Sequence, residues 1–63
     1  MTAITERLYE AICRHPGETM AVLAQSLGTT IRALWRPSTR LRKEGRVRSV
    51  GRQKATRYFP MGA

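Results

Sequence analysis

The chain contains no Asp and no Asn, and after Glu18 its only acid is Glu44. General acid/base pairs, carboxylate metal sites and Ser/His/Asp arrangements all draw on residues that are missing or too few, so the composition argues against an enzyme. Cys13 is the sole cysteine and His15 the sole histidine. An internal disulfide is thereby excluded, no cluster exists for a structural zinc, and no cofactor is implied. A free thiol suits a reducing compartment, and Cys13 reads as an ordinary half-buried helix residue. No apolar run approaches the roughly 20 residues needed to cross a bilayer, and no apolar leader segment precedes the first helix. The expectation is a cytoplasmic protein with no membrane partner. Gly17, Gly28, Gly45, Gly51 and Gly62 stand singly; they mark turns rather than a phosphate-cradling loop, and no small-molecule pocket is evident.

What is abundant is positive charge, unevenly placed. Ten of the twelve Lys and Arg residues lie between Arg32 and Arg57, opposed by Glu44 alone, a local balance of +9. Residues 1–31 set Arg7 and Arg14 against Glu6, Glu10 and Glu18, a balance of −1, and together these give the net charge of +8. Charge confined to one half is a surface directed at a polyanion, in the usual case nucleic acid. The 63 residues are read as one domain, whose core on this scale supplies only about 3–5 kcal/mol of net stability.

Ile4, Leu8, Ala11 and Ile12 recur at helical spacing, predicting a first helix from about Thr2 or Thr5 to Arg14 that stops at His15-Pro16-Gly17. Thr19 is a good N-cap for a second helix carrying Met20, Leu23, Ala24 and Leu27, with Gly28 as its stop. Thr29 or Thr30 caps a third helix only two residues later, the tight spacing of a helix-turn-helix. In that helix Ile31, Leu34, Trp35, Ser38 and Leu41 are placed on the apolar side, with Trp35 in the core. Arg32, Arg36, Thr39, Arg40 and Lys43 form an outward stripe, which lacks i, i+4 acidic partners.

Pro37 is the misfit. It deletes the bond to the Ala33 carbonyl at a cost of about 3 kcal/mol, so the helix is expected either kinked near Arg36 or split into residues 31–35 and 37–44, with the kink preferred. Gly45 ends it. Residues 46–50 and 56–60, rich in β-branched and aromatic side chains around the basic stretch 51–55, predict a β-hairpin with an exposed cationic tip. Val47, Val50, Tyr58, Phe59 and Met61 are the side chains available to pack it onto the helices. Tyr9 lies off the main stripe, either partly buried or available to a partner subunit.

This order resembles the winged helix-turn-helix family of bacterial DNA-binding regulators over almost the whole chain. The resemblance is carried by residues 19–27 as the positioning helix, Thr29 and Thr30 at the next entry, the Leu41-Arg42-Lys43-Glu44-Gly45-Arg46-Val47 run, and the Gly51-Arg52 and Ala55-Thr56-Arg57-Tyr58 segments. It implies a mainly helical α+β fold, a three-helix winged helix-turn-helix with a C-terminal two-stranded β-hairpin wing. The implied function is sequence-specific binding of double-stranded DNA by a small transcriptional regulator, with the third helix in the major groove. Arg32 and Arg36 are then the candidates for guanine edges. Thr29, Thr30, Ser38 and Thr39 offer hydroxyls to phosphates, as Arg40, Lys43, Arg46 and Arg48 offer charge. Arg52, Gln53, Lys54 and Arg57 follow the backbone or enter a narrow minor groove. A monomer, or a weak homodimer on two half-sites, is expected. The alternatives are a winged helix used as a protein-interaction module and a structured-RNA binder.

Overall fold

The computed structural model describes residues 3–52 and 55–61. Its elements run α1 (Ile4–Arg14), β1 (Glu18–Thr19), α2 (Met20–Leu27), α3 (Ile31–Lys43), β2 (Val47–Val50) and β3 (Arg57–Pro60). Helix α1 begins at Ile4 after Ala3, whose side chain makes no cap; Thr5 therefore lies inside the first turn, and Thr2 lies outside the described residues. Its Leu8, Ala11 and Ile12 are buried, as their spacing requires. The His15 N–H donates to the Ala11 carbonyl at 2.9 Å before Pro16 ends the helix.

Two residues of the connection to α2 form a strand that the sequence did not announce. Glu18 pairs with Tyr58 and Thr19 with Arg57, so the wing is a three-stranded antiparallel sheet of order β1-β3-β2 rather than a hairpin alone. A two-residue strand is too short to carry an alternation signal. Thr19 then changes role within one residue, since its hydroxyl accepts from the Val22 N–H and caps α2.

Between α2 and α3 the turn is short because Gly28 takes the left-handed conformation at φ 68°. Its N–H donates to the Gln25 carbonyl at 3.2 Å and that of Thr29 to Ala24 at 2.9 Å. Thr30 follows at once as N-cap of α3, accepting from the Ala33 N–H at 3.1 Å.

Helix α3 is one continuous element through Pro37. The split is thus ruled out. Pro37 is buried with Leu34, Ser38 and Leu41, so the residue that disturbs the backbone ladder also contributes apolar surface to the core. Leu8, Ile12, Leu23, Leu34 and Leu41 are the largest fully buried side chains, each stabilising the fold by about 1.5–3 kcal/mol of burial. They hold α1, α2 and α3 together, and Val47 of β2 adds the wing to the same core. Strand register explains the rest of the sheet: Ser49 faces Tyr58, and Tyr58 packs on the core, whereas Arg48 faces Phe59 on the other side. Val50 and Met61 are half exposed.

Candidate nucleic-acid interface

At about 100° per residue, the burial of Leu34, Pro37, Ser38 and Leu41 fixes which face of α3 looks outward. Arg32, Arg36, Thr39 and Lys43 run down its centre, Ile31 and Trp35 flank them on one side, and Arg40 flanks them on the other. All seven are exposed. Trp35, Arg36, Thr39, Arg40 and Lys43 line one open depression of about 380 Å³. The stripe read from the sequence is therefore brought together on one surface.

The structure corrects the side assigned to Trp35 and to Ile31, the latter 44% exposed, and the contact assigned to Ser38, which lies on the apolar side as read. Trp35, expected in the core, is 64% exposed. Ser38, expected on a phosphate, is 4% exposed, and its hydroxyl donates to the Trp35 carbonyl at 3.0 Å. The cause is Pro37: once its ring joins the core, the buried arc is centred between Leu34 and Leu41 and turned away from Trp35. Cys13 is likewise exposed rather than half-buried.

Not every cation is free to meet a ligand. Arg46 donates to both carboxylate oxygens of Glu6, at 2.7 and 3.0 Å, approaches Glu44 at 3.6 Å, and lies 4.2 Å from the centre of the Tyr9 ring. This fork clamps the start of β2 to α1. The hydrogen bond to Arg46 holds the Glu6 carboxyl below its ordinary value, despite an opposing contribution from partial burial. The same bond raises the Arg46 guanidinium further. Tyr9 is raised too, chiefly by the adjacent Cys13 side chain, and it is half-buried against the core.

Arg46 is thus a structural residue, and its expected phosphate contact does not fit its bonding. Arg57 is also engaged, donating to the Gly17 carbonyl at 2.7 Å and tying β3 to the loop before β1. Arg40 has the i, i+4 partner that the sequence reading denied it: its Nε lies 3.3 Å from Glu44, with the two side chains 71% and 40% exposed. A pair this open contributes little and exchanges readily for a phosphate.

Arg32, Arg36, Lys43 and Arg52 have no hydrogen-bond or ion-pair partner among the described residues. Arg48 stacks over Phe59 with its guanidinium carbon 5.2 Å from the ring centre, and the head group is left exposed. Thr29 and Thr30 bracket the entry to α3; the Thr30 oxygen is occupied as the cap, while its proton remains available to an acceptor. Gln53 and Lys54, expected at the wing tip, lie outside the described residues. The tip begins at Gly51, whose φ of 106° and close approach to the Ala55 carbonyl suit glycine.

With three helices, the Gly28 turn and the wing established, comparison with protein families gives a match to the model described as winged helix-turn-helix DNA-binding over residues 1–48. The chain belongs to that family. No curated protein and no solved structure matches it. The match runs from α1 through α3 into β2, and the returning strand β3 completes the winged helix-turn-helix beyond it. Membership carries DNA binding and transcription regulation as the general function. Among the described residues no helix is long and apolar enough to cross a membrane.

Proposed function

We propose that the chain binds double-stranded DNA with sequence preference, inserting the outward face of α3 into the major groove and laying the wing along the flanking backbone or minor groove. The observation that carries this reading is the exposed face of Arg32, Arg36, Thr39 and Lys43 directly behind a capped helix-turn-helix turn. A helix fits the B-DNA major groove, and an unpartnered guanidinium can donate to guanine O6 and N7 together. Arg32 and Arg36 take that role. Thr29, Thr30, Thr39, Arg40, Lys43 and Arg48 contact phosphates, fixing register without reading sequence. Arg52, with Gln53 and Lys54, extends the contact along the wing.

The chain acts in transcription regulation, as a monomer or as a weak homodimer assembled on two half-sites. Selection from a random duplex pool at low salt tests the reading. An enriched motif is the expected result, and its symmetry reports the stoichiometry. Failure to retain any duplex, with retention of structured RNA or a protein instead, overturns it.

A further inference from the structure

Beside the cationic stripe of α3 stands an apolar strip that the fold does not cover. Ile31 is 44% and Trp35 64% exposed, one helical turn apart, and Trp35 lines the same depression as Arg36, Thr39, Arg40 and Lys43. Trp is the largest apolar payload among the side chains and is ordinarily buried or partnered. Exposed apolar surface framed by polar groups marks a binding surface. The framing here is cationic, so the occupant must offer apolar groups within a polyanion. In duplex DNA one base-edge feature meets that description: the C5-methyl of thymine, displayed in the major groove and absent from the minor groove.

We infer that Trp35, with Ile31 beside it, reads thymine through its C5-methyl group, next to the base edge read by Arg36. The inference rests on the duplex-binding reading above and adds a specificity-determining residue to it. The four residues from Ile31 to Trp35 rise about 6 Å along the helix, close to two base steps of about 3.4 Å each, so Ile31 and Trp35 address methyls about two base pairs apart. The backbone under Trp35 is fixed for the task. Its carbonyl accepts from the buried Ser38 hydroxyl, and Pro37 two residues on is packed in the core, which restricts how the indole is presented.

The test uses the duplex that the wild-type chain enriches from a random pool, synthesised once with thymine and once with deoxyuridine, which pairs identically and lacks only the methyl. Wild-type affinity is expected to fall about fourfold per methyl touched, the equivalent of one buried carbon group. Trp35→Ala is expected to bind both duplexes alike. Trp35→Phe retains part of the difference, and Arg36→Ala keeps the thymine-to-deoxyuridine ratio while lowering both affinities. Circular dichroism checks that each variant is folded.

Equal wild-type affinity for the two duplexes, with binding still salt-dependent, overturns this inference alone; loss of all duplex binding overturns the proposed function with it. Three further results also sink it. They are salt-dependent binding with no enriched sequence, tighter binding to the single strand by stacking, and a Trp35-dependent dimer in sedimentation without DNA.

Discussion

Leu34 and Trp35 are neighbours in sequence and opposites in the fold, which makes them a sharp test of how α3 is turned. Leu34 is fully buried, while Trp35 is 64% exposed. Truncating a buried Leu to Ala costs about 2–5 kcal/mol through lost transfer energy and the cavity left behind. Set against the roughly 3–5 kcal/mol available to a domain this small, Leu34→Ala should be largely unfolded at room temperature. Trp35→Ala removes more atoms, yet as a surface change it should cost within about 0.5 kcal/mol, a melting shift of no more than about 4 °C. Far-ultraviolet circular dichroism is the appropriate assay, because the second variant removes the chain's only tryptophan. Comparable destabilisation by both, or a larger loss for Trp35→Ala, would refute the assigned orientation of α3.

Other consequences can be checked separately. Glu6 is held below its ordinary carboxyl value of 4.5 by Arg46, so its contribution to stability is complete above pH 4.5 and disappears as pH falls through the lower folded value. Glu6→Gln should lower the melting temperature at neutral pH and flatten the acid limb of a melting-temperature profile. Gly51→Ala forces a Cβ to within 2.9 Å of the Ala55 carbonyl at a φ of 106°. It should cost about 1–3 kcal/mol, seen as faster amide exchange in β2 and β3 with the helices preserved. Arg36→Ala should relax base preference at one position at a cost of about 1–3 kcal/mol, whereas Lys43→Ala should weaken all duplexes alike and reduce the salt slope by about one unit. Competition binding across single-base variants separates the two.

Much of the helical frame was legible in the sequence because its signals are local. Thr19 and Thr30 as caps, Gly28 as the turn, and the Leu8-to-Ile12 and Leu23-to-Leu27 spacings all act within a few residues, and each element lies where those signals put it. The cationic stripe was legible for the same reason. The misread parts depend on tertiary packing. Pro37 carries a strong local penalty, but as a core side chain it rotates the buried arc of α3 and leaves Trp35 exposed. Strand β1 exists through its pairing with β3 about 40 residues away. Arg46 counted as one more cation until α1 brought Glu6 to it, and nothing in its local sequence distinguishes it from Arg48.

The proposed duplex binding requires α3 and the wing to present their free cations as one surface. After setting aside Arg46 and Arg57, which hold the fold together, the described residues of α3 and the wing leave Arg32, Arg36, Arg40, Arg42, Lys43, Arg48 and Arg52. A fluorescence titration of Trp35 with a fixed duplex over a salt series measures the outcome directly. With Arg32 and Arg36 on base edges, about five neutralised phosphates predict a slope of about −4.5 in log affinity against log salt, a weakening of roughly five-hundredfold between about 50 and 200 mM. A flat salt response, or indole emission unchanged by saturating duplex, would contradict it.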